Sequence, residues 1–146
     1  VAGRAGRGRA PGTVHVQTFH PSHPAILSAA RHDTDGFGER ELEFRRAFFY
    51  PPFSELAAVL VSSPERDRAE QAAARIGEAA RKVAAALTIS GPAPAPLERL
   101  QGRWRFQLLL RAGGRRALIA ALEACIPDRP AAGVRVAVDV DPQDLM

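Results

Sequence analysis

Apolar residues recur along this chain with two different periods, and the switches between them mark its elements. Residues 54–63 contain LAAVLV, apolar on both faces, which predicts a central strand that Pro64 ends. From residue 65 to 87, Ala69, Ala72, Ala73, Ile76, Ala80, Val83 and Leu87 recur at helical spacing opposite Arg68, Gln71, Arg75, Glu78 and Lys82. This predicts a long helix whose alanines let it lie close to a sheet. Residues 88–90 make a short second strand. Pro92, Pro94 and Pro96 each fix a backbone angle and remove a donor, so residues 91–97 are expected to be a stiff, exposed lead-in. The next strand places Trp104, Phe106, Leu108 and Leu110 on one face and Arg103, Arg105, Gln107 and Arg111 on the other. Gly113 and Gly114 turn the chain into a helix over residues 115–125, with Leu118, Ile119 and Leu122 on its apolar side. Val134, Val136, Val138 and Val140 then alternate with Arg135, Ala137 and Asp139 in a final strand. The order strand, helix, strand, strand, helix, strand predicts an α+β, ferredoxin-like βαββαβ domain over residues 54–146, with both helices on one face. The other face is left open, and Arg105 and Gln107 point to it.

The pattern is weaker ahead of residue 54. Val14 and Val16 alternate with His15 and Gln17, which predicts a short strand over residues 13–19, and HPSHP at 20–24 reads as a turn. A short helix over residues 25–32 follows. Asp33 or Asp35 can cap the next helix, over residues 37–48, where Phe37, Leu42, Phe44 and Phe48 are apolar and Glu41 supports Arg45. YPPF at 50–53 stops it. The domain boundary falls between Arg31 and Tyr50, giving an N-terminal segment (1–24), a helical linker (25–53) and the C-terminal domain (54–146). Residues 1–12, VAGRAGRGRAPG, read as an unstructured glycine and arginine arm for nucleic acid, or else residues 1–7 read as a helix with Arg4 and Arg7 on one face. Val1 stands where a methionine would start a chain, and further chain upstream is expected.

Composition narrows the class of function. A chain of 146 residues suits one compact domain with a short appendage, and it needs no metal or disulfide for stability. The single cysteine, Cys125, can form no disulfide within the chain and reads as an inert packed thiol, so a reducing, cytoplasmic setting is expected. No apolar run approaches a membrane span, and no signal peptide is present, so no membrane partner is expected. The formal charge of +4 is carried almost wholly by arginine, whose planar fork suits phosphates. The candidate DNA contacts are Arg99, Arg103, Arg105, Gln107 and Arg111; the ordinary alternative is that they form the solvated face of a strand. Trp104, Tyr50 and Phe53 read as packing. His20 and His23 lack a third ligand at metal spacing, so no metal site is assigned. Asp139 and Asp141 fall on one side of the last strand, where they read as its ending.

Five stretches, in order, carry a resemblance: VAGRAGRG from Val1, PGTVHVQTFHPSHPAI from Pro11, ERELEFRRAFFYPPF from Glu39, GPAPAPLERLQGRWRFQLLL from Gly91 and VAVDVDP from Val136. Together they resemble the C-terminal end of the primosomal protein N′ family of replication-restart DNA helicases, over essentially the whole chain. The resemblance implies that residues 1–7 are the last motif of a superfamily 2 motor, Q-x-x-G-R-x-x-R, with Arg4 and Arg7 as its arginines. Such arginines stabilise charge on a transferred phosphoryl group, an effect worth ~10³ or more in rate. It further implies the end of motor lobe two, a helical linker, and a C-terminal domain that looks like a small-subunit ribosomal protein fold. The implied activity is a 3′-to-5′ helicase that recognises stalled or branched forks and starts primosome assembly. The implied partners are branched DNA, single-stranded-DNA-binding protein and other primosome proteins, and the chain is expected to be a monomer. Arg115 matches the arginine that receives the acidic tail of single-stranded-DNA-binding protein, while the companion polar position one turn later is Ile119. ATP, Mg and Zn belong to the implied parent. This chain has neither the phosphate loop, G-x-x-x-x-G-K-[ST], nor the cysteine-rich zinc module, so by itself it is expected to bind no cofactor and hydrolyse no ATP. The alternative reading is a stand-alone RNA-binding or ribosome-associated module with a basic arm.

Overall fold

A computed structural model describes residues 12–83 and 87–142. The chain divides into two compact units, Val1–Glu43 and Phe44–Met146. In the first, the strand expected over residues 13–19 does not form: residues 12–18 carry no regular structure, and Val14 and Val16 are exposed. A strand needs a ladder partner, and none lies beside this stretch among the described residues. Helix α1 (Pro24–Arg31) begins with a proline, whose missing N–H costs nothing in a first turn. His23 caps it, its Nδ1 accepting the Ala25 N–H at 3.2 Å. Helix α2 (Thr34–Ala47) is capped by Asp33, whose Oδ1 accepts the Gly36 N–H at 2.9 Å. Arg40 ties the two helices together, donating to the buried Ser28 hydroxyl at 2.8 Å and to Asp33 at 3.2 Å.

The second unit holds β1 (Glu55–Ser63), α3 (Arg66–Val83), β2 (Thr88–Leu100), β3 (Arg103–Ala112), α4 (Arg115–Cys125) and β4 (Arg135–Val140). The sheet order is β2-β3-β1-β4, and every neighbouring pair is antiparallel. This is the ferredoxin-like arrangement expected from the hydrophobic pattern, with β1 and β3 in the middle. Ala57, Val59 and Val61 of β1 join Phe106, Leu108 and Leu110 of β3 under α3 and α4, in one core with Ala73, Ile76, Leu118 and Leu122. Small residues on α3 set the close approach. A Cβ built at Gly77 would lie 3.0 Å from the Leu108 side chain.

The proline-containing stretch departs from expectation. Most of it is exposed, as expected, but it is no lead-in to the sheet; β2 continues through it to Leu100 and pairs with β3, with irregularities between Ser90 and Ala93 and between Pro94 and Arg99. β2 is an edge strand, where a proline's missing N–H can face outward without breaking the ladder. Gly91 makes the first irregularity possible: its φ is +96°, and a Cβ there would lie 2.6 Å from the Gln107 carbonyl oxygen. Gly91→Ala is therefore expected to lower stability by about 2–3 kcal/mol, because backbone strain and a clash with main chain act together. Urea unfolding checks this, and a midpoint equal to that of the native chain would show that β2 can shift at no cost.

Candidate nucleic-acid interface

Both helices lie on one side of the sheet, so the residues that alternate with the core make up the opposite face. β3 contributes Arg103, Arg105, Gln107, Leu109 and Arg111 to it, and β1 contributes Leu56, Ala58, Leu60 and Ser62. β4 adds Arg135, Ala137 and Asp139. Cross-strand partners share a face, and the register sets Arg105, Ser62 and Arg135 in one row across three strands. The middle of the face is mostly apolar, with Ala58 between Leu109 and Asp139, and Leu60 between Gln107 and Ala137. Beside Gln107 and Leu109 a shallow groove of about 240 Å³ is bounded by Ser90, Gly91, Pro94 and Pro96.

The candidate arginines differ in how firmly they are held. Arg103 donates to the Ser62 hydroxyl at 3.2 Å, to the Ser62 carbonyl at 2.9 Å and to the Gly133 carbonyl at 2.8 Å. It ties the loop before β4 to β1. Arg111 donates to the Phe48 carbonyl at 3.0 Å and to the Ser90 hydroxyl at 3.4 Å, and its guanidinium lies 4.8 Å from the centre of the Tyr50 ring. Its buried Nε has no acceptor among the described residues. Both guanidinium groups are held in place by bonds within this chain. Among the described residues Arg105 makes one long bond, to the Leu97 carbonyl at 3.4 Å, and Arg135 is exposed. These two, with Gln107, offer the most donors to an incoming phosphate.

Arg99 belongs to the other side. It pairs across the ladder with Trp104, and its guanidinium lies 5.2 Å from the indole. Arg66 lies over the same ring at 5.8 Å and bonds to Glu98 at 3.3 Å. Trp104 is half-buried between the two cations at the rim of the core, a packing position. Tyr50 and Phe53 are partly buried and each lies beneath an arginine, Arg111 and Arg46.

Arg115, at the start of α4, is paired within the chain. Its Nη1 lies 2.6 Å from Asp141 and 3.8 Å from Glu55. Asp141 does not continue β4: it turns into the left-handed region at φ 59°, and its N–H bonds to the Leu56 carbonyl. Cys125 is buried, its thiol facing the Leu122 carbonyl at 3.7 Å, and burial pushes its pKa upward against the smaller opposing effect of a backbone hydrogen bond. A thiol so held stays protonated and unreactive. Arg4 and Arg7 lie outside the described residues.

Arg135 is the residue that pattern reading alone did not single out. The valine alternation showed which way it points, but only pairing with β1 sets it level with Arg105.

Comparison with known proteins adds a second line. Residues 46–143 match the family model described as Primosomal protein N C-terminal domain. The chain is 35% identical over 150 residues to the Replication restart protein PriA of Haemophilus influenzae, covering 99% of this chain and 20% of that protein. It is 33% identical over 151 residues to the protein of the same name in Bacillus subtilis, covering 100% of this chain and 19% of the relative. It is 39% identical over 138 residues to the Probable replication restart protein PriA of Deinococcus radiodurans, covering 92% and 14%. The chain thus spans about a fifth of the length of the first two curated relatives.

Proposed function

Because this chain belongs to the family of primosomal protein N C-terminal domains, we propose that it is the C-terminal part of a replication-restart helicase and that its open sheet face binds the phosphates of branched DNA. The observation that carries this reading is the match of essentially the whole chain to proteins named for replication restart. The placement of Arg105, Gln107 and Arg135 on one accessible face supports it, since arginine forks and amide donors are the usual phosphate ligands. In the same reading Arg4 and Arg7 belong to the motor's last motif, and ATP hydrolysis, 3′-to-5′ unwinding and primosome assembly belong to the longer protein. The acidic tail of single-stranded-DNA-binding protein then takes Arg115 by displacing Asp141 from it.

The test is a set of anisotropy titrations of the 146-residue chain with a forked duplex, a linear duplex of equal length and an RNA hairpin. The fork is expected to bind most tightly, with affinity falling steeply as salt rises. Preference for the RNA hairpin would replace this reading with that of a ribosome-associated module.

A further inference from the structure

On the helix-bearing side of the sheet, a cavity of about 350 Å³ opens between α3, the loop after α4 and β4. Its walls are apolar: Ala72, Ile76 and Ala79 of α3, Cys125 at the end of α4, and Val134 and Val136 beside the sheet. Two cations also line it, Arg75 and Arg129, and among the described residues no acidic side chain does. Neither arginine has an ion pair or hydrogen bond among the described residues. β4 forms the outer edge of the sheet, and Val138, which points to the same side as Val136, is 41% exposed.

We propose that this cavity binds an acidic, extended peptide segment of a partner protein. One apolar side chain of the peptide fills the cavity, its backbone runs beside the free edge of β4 and covers Val138, and its carboxylates meet Arg75 and Arg129. The volume suits one or two side chains. An unpaired sheet edge is a ready template for an extended segment, with the pocket supplying selectivity. The two arginines select acid over base. The site is separate from Arg115, which lies at the opposite end of α4, ten residues or ~15 Å away along the helix. It is also on the other side of the sheet from the proposed DNA face, so it stands or falls without that reading.

The experiment titrates the isotopically labelled 146-residue chain with a short, end-blocked peptide of alternating leucine and glutamate, followed by amide NMR shifts. A lysine-for-glutamate version and a short oligothymidylate run in parallel. The expected result is saturable shifts centred on Ala79, Cys125, Val134 and Val136 with the acidic peptide alone. The double substitution Arg75→Gln and Arg129→Gln should weaken binding by at least about tenfold with an unchanged melting temperature. Filling the cavity by Ala79→Leu should block binding independently. Equal binding of the lysine peptide overturns the proposal, as do shifts centred on Arg115 and Asp141, displacement of the peptide by oligothymidylate, or no saturable binding.

Discussion

Phe106→Ala is expected to destabilise the C-terminal domain by about 3–5 kcal/mol, the range for truncating a buried aromatic ring. The ring is 2% exposed and sits among Val61, Leu108 and the inner faces of α3 and α4 in the core. The guanidinium of Arg66 lies 5.7 Å from its centre and closes over the ring at the surface. Removal therefore leaves a cavity walled by the sheet and the helices packed on it, which have little room to collapse. Domains of this size have only about 5–15 kcal/mol in total, so the variant should be partly unfolded at moderate denaturant. A fall in the urea midpoint at unchanged slope is the expected signature. A loss below about 1.5 kcal/mol would mean that the site repacks and that β3 is not the centre of the core. Leu109→Ala, one face over and half-buried, should cost clearly less.

The two faces of β3 were legible in the sequence because apolar and polar groups alternate from Arg103 to Leu108, and the period of a strand carries that through Leu109, the one apolar residue on the polar face. The same holds for α3, whose alanines mark the side that approaches the sheet. Residues 13–19 show the limit of the argument, since two alternating valines describe a strand only if a neighbour supplies the ladder. The start of β2 at Thr88 was legible, but its continuation past Ser90 was missed for the opposite reason: three prolines argue against a strand in general, yet an edge position tolerates them, and edge or centre is decided by tertiary pairing. The site was legible in part. Alternation put Arg103, Arg105, Gln107 and Arg111 together, but it could not show that Arg103 is consumed by Ser62 and Gly133, or that Arg111 is held by Phe48, Ser90 and Tyr50. Such long-range bonds depend on how loops close over the sheet. Arg135 and Arg105 are thirty positions apart, and only their common partner Ser62 aligns them.

That alignment gives the largest expected effect on binding. Replacing both Arg105 and Arg135 by alanine should reduce affinity for a forked duplex roughly two-hundredfold at ~50 mM salt, if each neutralises one phosphate. The estimate follows from counterion release: each contact contributes about 0.9 log units per tenfold change in salt, hence ~1.2 log units between 50 mM and the 1 M reference. The two residues sit two strand spacings apart, ~10 Å, so their flexible stems can reach separate phosphates. The slope of log affinity against log salt should flatten by about two, equally for different sequences, because phosphate contacts position a protein without reading bases. Melting temperature should barely move, since Arg105 makes one long hydrogen bond and Arg135 is exposed. Arg103→Ala should behave differently. It removes three bonds that hold the loop at Gly133 to β1, so part of any lost affinity would come with lost stability, on the order of 1–2 kcal/mol. An unchanged salt slope in the double variant, with the fold intact, would place the DNA somewhere other than this face.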